Sequence, residues 1–189
     1  MRLVFASNNA HKLQEVRQIL PATCEVLSLR DIGCTDEIEE TGETLEENSL
    51  IKAQYIYDKY GVDCFADDTG LEIEALNGKP GVRTARWAGE DANAVNNRQK
   101  ALRELEGITH RDAQFRTVVT LIRGGKVQQV EGVVRGRIAT KQRGEGGFGY
   151  DPIFIPEGYE LTFAELPPEV KNTISHRARA MAELNKIIR

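Results

Sequence analysis

A chain of 189 residues, 40% hydrophobic and 29% charged, is sized for a single domain and can bury a core without metal or disulfide staples. Its formal net charge of −4 gives no field to draw the whole surface onto nucleic acid or an acidic membrane, so an RNA-binding module is disfavoured. Cys24, Cys34 and Cys64 lack CxxC spacing, which argues against a disulfide framework or a cysteine zinc site and fits buried thiols in a reducing compartment.

The N-terminal apolar run is too short for a signal peptide, and no later run nears the ~20 residues a membrane span needs. The expectation is a cytoplasmic protein. Leu3 to Ala6 reads as a buried strand that stops at Ser7-Asn8-Asn9, residues that cap helices. The helix that follows carries Leu13, Val16, Ile19 and Leu20 on one stripe and ends at Pro21. Glu25 to Leu29 reads as a second strand, followed by a carboxylate run over 36–43 broken by Gly42.

Thr44 with Glu47 forms a capping box and predicts a helix to about Tyr60. Val62 to Ala66 reads as a strand ending at Asp67-Asp68-Thr69-Gly70, and Leu71 to Leu76 as a separate, half-buried one. A turn at 78–81 and a helix over 91–105 come next. Two strands, 115–122 and 127–138, joined at Gly124-Gly125, predict a hairpin. The glycine-rich stretch 146–152, a short strand 153–155 and a helix from about Ser175 complete the chain. Helices and strands interleave at both ends around that hairpin. The fold class is therefore α/β, with a mixed sheet flanked by helices and one continuous domain over 1–189.

Five stretches carry chemistry. Ser7, Asn8, Asn9, Ala10, His11 and Lys12 occupy a strand-to-helix turn, where backbone N–H groups and the helix dipole suit a phosphate; the turn is no Walker loop. Glu39, Glu40, Glu43, Glu46 and Glu47 supply the hard oxygens that Mg²⁺ prefers, although Glu43, Glu46 and Glu47 equally favour the start of a helix. Asp67 and Asp68 close an apolar strand where α/β enzymes place catalytic groups, and two neighbours there cannot both face one site. In the glycine-rich stretch, Phe148 offers a stacking face and Asp151 an acceptor. Lys171, His176 and Arg177 gather cationic and donor groups near the start of the last helix.

Together these stretches resemble the inosine-triphosphate pyrophosphatase family of house-cleaning enzymes, in its bacterial form. The matching segments, in the family's order, are SNNAHKLQE, EETGETLEENSLIKA, FADDTGLEIEAL, GKPGVRTARWAG, GEGGFGYDPIF and KNTISHR. Thr69 departs from the serine frequent in relatives but keeps the hydroxyl. The resemblance implies an elongated, two-lobed fold with a central cleft, and a homodimer. It implies hydrolysis of ITP, dITP and XTP to the monophosphate and pyrophosphate with Mg²⁺ as cofactor. By the same resemblance, Ser7 to Lys12 bind the triphosphate, Glu40 and Asp68 ligate the metal, and Asp68 accepts the proton. Thr69, Phe148, Gly149, Tyr150, Asp151, Lys171, His176 and Arg177 then contact the substrate. The chemistry is consistent: attack on the α-phosphorus needs polyphosphate charge neutralised and a water positioned. A phosphatase releasing inorganic phosphate, or a regulator that binds nucleotide without cleaving it, are the alternatives.

Overall fold

The computed structural model describes residues 1–188. Along them run β1 (Arg2–Phe5), α1 (Ala10–Ile19), β2 (Glu25–Leu27), α2 (Leu45–Tyr60), β3 (Cys64–Ile73) and β4 (Lys79–Pro80). Then follow α3 (Ala94–Glu104), β5 (Asp112–Arg123), β6 (Lys126–Ile138), β7 (Phe154–Pro156), α4 (Pro168–Ile174) and α5 (His176–Ile188). The strand order is β2-β1-β3-β5-β6-β7, with β4 on β3. β1 pairs in parallel with β2 and β3, while β3/β4 and β6/β7 pair antiparallel, which gives the mixed sheet expected of the sequence.

Local chemistry sets the boundaries. Asn9, Thr44 and Asn93 cap α1, α2 and α3, each side chain accepting from the backbone N–H three residues on. Glu47 reaches back as well, but one residue past the cap: its carboxylate accepts from the Glu43 N–H rather than from that of Thr44. Gly124 and Gly125 turn from β5 into β6 at φ 57° and 81°, the left-handed backbone a two-residue hairpin requires. α3 starts at Ala94, three residues later than the sequence suggests, because Asn93 is the cap. α4 was not expected; it starts at Pro168, whose fixed φ suits a first helical position. β3 corrects a second expectation. The acidic turn between two strands is instead one strand running unbroken through Asp67-Asp68-Thr69-Gly70.

The chain divides into two compact units, each with its own core. The first takes Met1–Asp68, Thr117–Gly132 and the chain from Arg177 on; the second takes Thr69–Arg116 and Val133–His176. In the first unit the strands have a helix layer on each face. Leu3, Phe5, Phe65 and Leu121 pack against Val16 of α1, Leu20 just past its end, and Ala180, Met181 and Leu184 of α5. Val4, Ala6, Cys64 and Ala66 pack against Ala53 and Ile56 of α2. In the second unit Leu71, Ile73, Phe115 and Ile138 meet α3 and the aromatic group Tyr150, Phe154 and Phe163. Among the described residues, no helix is long and apolar enough to cross a membrane.

Candidate functional site

The side-chain alternation of β3 assigns its two aspartates to different neighbours. Phe65 and Asp67 face α1 and α5, whereas Ala66 and Asp68 face α2. Asp67, 1% exposed, accepts from Lys12 Nζ at 3.1 Å and lies 3.5 Å from Nε of Arg177. Arg177, 3% exposed, is paired on its other side with Glu15. Burial alone would raise the Asp67 carboxyl, but the charges of Lys12, Arg177 and Lys52 outweigh it and hold the group well below the usual carboxylate range. Lys12 moves down: burial outweighs the attraction of Asp67, and the like charges of Lys52 and Arg177 add to it.

Asp68, 7% exposed, moves the opposite way, up to about 6. Burial is the largest cause, and the charge of Glu40 raises it further, against Lys52, Lys12 and a hydrogen bond from Asn48. Lys52 Nζ holds this corner together. It lies 2.7 Å from Glu40 Oε1 and donates to the Asp67 carbonyl. Burial works against its charge, but Asp67, Glu40 and Asp68 prevail and raise its pKa. Asn48 ties the acidic loop to the strand, since its Oδ1 accepts from the Gly42 N–H at 2.7 Å while its side chain bonds Asp68. A Cβ at Gly42 would come within 2.6 Å of Glu47 Cβ and 2.7 Å of Asn48 Oδ1, so this approach needs glycine.

Sequence reasoning missed Lys52, Asn48 and Glu15. The signal for the first two lies in the period of α2. Leu45, Asn48, Ser49, Lys52, Ala53 and Ile56 form its buried stripe, with polar residues at three positions where a core-facing helix should be apolar. Glu15, half-buried on α1, gave no such signal.

The turn before α1 is built as its sequence implies. Ser7 Oγ accepts from the Asn9 N–H at 3.1 Å, Asn9 Oδ1 accepts from the Lys12 N–H at 3.1 Å, and Asn8 to His11 are exposed. The first turn of α1 holds no acid to compete with an incoming phosphate.

In the second unit the structure brings Phe148, Asp151 and Lys171 together. Asp151 Oδ2 accepts from the Phe148 N–H at 2.9 Å and from Lys171 Nζ at 2.7 Å. Lys171 Nζ lies 4.8 Å from the Phe148 ring centroid. A Cβ at Gly147, whose φ is 68°, would fall 2.1 Å from Asp151 Oδ2. Gly149 offers its carbonyl to Arg98 at 2.7 Å. Tyr150 is a core residue whose hydroxyl donates to the Thr84 carbonyl, and burial pushes its pKa up. Thr84 Oγ1 also accepts from the Leu71 N–H, so GKPGVRTARWAG positions both the glycine-rich loop and β3. His176 is buried and stacked on Phe115 at 4.6 Å, and Thr69 is half-buried on β3. Arg177, in the first unit, directs its guanidinium to Asp67 and Glu15.

Hard carboxylate oxygens on Glu40 and Asp68, with the charge of Glu40 adding to the cost of ionising Asp68, fit a divalent cation such as Mg²⁺. Among the described residues, the histidine–carboxylate group whose ligand atoms lie within 4.8 Å of one another is a different one, Glu74, His110 and Asp112, all exposed. A cavity of about 840 Å³ in the second unit, lined by Glu72, Glu74, Gln114, Arg135 and Arg137 among others, contains none of the expected site residues.

A sequence profile described as the Ham1 family matches residues 3–187. A dITP/XTP pyrophosphatase of Flavobacterium johnsoniae is 53% identical, over 97% of this chain and 96% of the relative. One from Porphyromonas gingivalis is 52% identical, over 99% of this chain and 97% of the relative. The solved Ham1 protein of Staphylococcus aureus superposes with a TM-score of 0.91 at 38% identity, covering 100% of this chain and 98% of that one. A dITP/XTP pyrophosphatase structure from Mycobacterium abscessus gives 0.81 at 42%, covering 97% and 98%.

Proposed function

This chain belongs to the Ham1 family, and from that premise we propose that it hydrolyses the triphosphates of inosine, deoxyinosine and xanthosine to monophosphate and pyrophosphate. The observation that carries the reading is the division of labour on β3. Asp67 is committed as counter-ion to Lys12 and Arg177, while Asp68 shares a carboxylate pair with Glu40 around Lys52.

Asp68 is the general base that takes the proton from the attacking water. Glu40 and Asp68 are the residues that would hold Mg²⁺, which supplies charge neutralisation and a more acidic water when bound. Lys12 and the N–H groups of the Ser7-to-Lys12 turn receive phosphate oxygens, and Asp67 fixes the Lys12 ammonium. Lys52 offsets part of the repulsion between Asp68 and Glu40. Thr69 contacts the substrate, and Phe148, Gly149, Tyr150, Asp151, Lys171 and His176 serve the base and sugar, with Asp151 as the anchor that fixes the Phe148 backbone and Lys171. Arg177 acts through Asp67 and Glu15. The resemblance also supports a homodimer, and the buried free thiols of Cys24, Cys34 and Cys64 are compatible with the cytoplasm.

The test is an end-product assay with ITP, dITP, XTP, GTP and ATP, with Mg²⁺ and with EDTA. Pyrophosphate from the first three, abolished by EDTA, is the expected result. Release of inorganic phosphate, or ATP cleaved as fast as ITP, rejects the reading.

A further inference from the structure

The second unit carries a surface cavity of about 290 Å³ that contains none of the residues assigned to hydrolysis. Arg111, Arg137, Lys141 and Arg143 line it with Thr109 and Thr140, against a single acid, Asp112. Four cations around one concavity are out of keeping with a chain of net charge −4.

Arg111 shows why this is more than a solvated basic ridge. It is half-buried, and its guanidinium donates to the carbonyls of Ile138, Leu105, Ile108 and Ala139 at 2.8, 2.9, 3.2 and 2.8 Å. Those carbonyl dipoles fix the plane of the group but leave its full charge without a carboxylate. Among the described residues neither Arg111 nor Lys141 has an ion pair. Arg143 is fixed as well, donating to the Glu160 carbonyl at 2.8 Å with Nε 3.3 Å from Glu165. Arg137 pairs with Glu160 at 3.2 Å, but that carboxylate is 92% exposed and screens weakly. Asp112 lies 3.9 Å from Nδ1 of His110, whose Nε2 is 3.5 Å from Glu74, so a histidine stands beside the one acid of the cavity. Holding a positive charge half-buried without a counter-ion costs stability, and an anion seated in the cavity would offset that cost.

We propose that this cavity is a second, non-catalytic anion site that takes a di- or triphosphate group. Four cations lining one cavity suit more negative charge than a single phosphate carries, which a chain of two or three phosphates supplies, with the threonine hydroxyls as further donors. Two sources share this chemistry: inorganic pyrophosphate and the tail of a nucleoside diphosphate.

The test is amide NMR of the full chain, titrated with sodium pyrophosphate, with inosine diphosphate, and with sodium sulfate at matched ionic strength. Saturable shifts at Thr109, Thr140 and Lys141 with either phosphate compound, absent with sulfate, are expected, and the tighter ligand identifies the source. Lys141→Glu, and separately Arg137→Glu, should weaken this binding about tenfold or more. Both should leave turnover and the shifts at Ser7 to Lys12 unchanged. No saturation with either compound, equal shifts in sulfate, or indifference to both substitutions overturns the site. The readout is binding at named amides, so it is independent of whether the chain hydrolyses nucleotides.

Discussion

Neighbouring carboxylates at 67 and 68 should respond to the same substitution in opposite ways. Asp67→Asn leaves Lys12 and Arg177 buried without their counter-charge. Breaking a buried pair in this manner costs about 3–5 kcal/mol, read as a lower denaturation midpoint. Asp68→Asn removes a carboxylate whose pKa is raised to about 6, a group that destabilises the fold when ionised. In protein stripped of metal with EDTA, the folded state keeps the Asp68 proton up to about pH 6, while the unfolded chain loses it near pH 4. Stability from this group is therefore complete below about pH 4 and lost as pH rises through about 6. At pH 7 the Asp68→Asn protein should be more stable than its parent, by up to about 3 kcal/mol. Its turnover should nevertheless fall by about 10²–10⁴. A variant that loses both stability and activity would place Asp68 in a structural role.

At the scale of elements, α2 does more than its sequence alone suggests. Its first turn was legible because Thr44 and Glu47 announce it, but the residues that tie it to the acidic loop and to β3 are Asn48 and Lys52, which face inward among Leu45, Ala53 and Ile56. A reading that weighs only apolar positions passes over such residues. β3 was misread for a related reason. Asp-Asp-Thr-Gly has poor strand propensity, and what keeps it extended is the set of cations brought to Asp67 and Asp68 by other elements. The pairing of Arg177 with Glu15 was not legible, because their separation along the chain leaves no local pattern. Lys52→Met, which keeps volume and removes charge, should leave helix content by circular dichroism unchanged. It should lower kcat/KM roughly ten- to a hundredfold, as expected for 1–3 kcal/mol of lost polar compensation.

For the whole molecule, the two units invite the question of whether they unfold together. The chain passes between them at 68/69, 116/117, 132/133 and 176/177, and β3, β5 and β6 each contribute residues to both. Two intrinsic reporters are already separated: Trp87, the sole tryptophan, lies in the second unit, and Cys24, Cys34 and Cys64, all buried, lie in the first. Tryptophan fluorescence and thiol reactivity followed through a urea titration should give coincident midpoints, as one cooperative domain over 1–189 requires. Two separated midpoints would divide it.

The core of the first unit joins Leu3 and Phe5 to Ala180, Met181, Leu184 and Ile188, so its earliest-made strand packs against its latest-made helix. During synthesis β1 leaves the ribosome long before α5 exists, and its apolar side chains must wait without that partner. Such distant pairing slows folding and gives nascent chains time to be met by chaperones. A stop codon or stalled ribosome ahead of α5 would thus release a chain with an open core, which a protease can clear before it competes with finished copies.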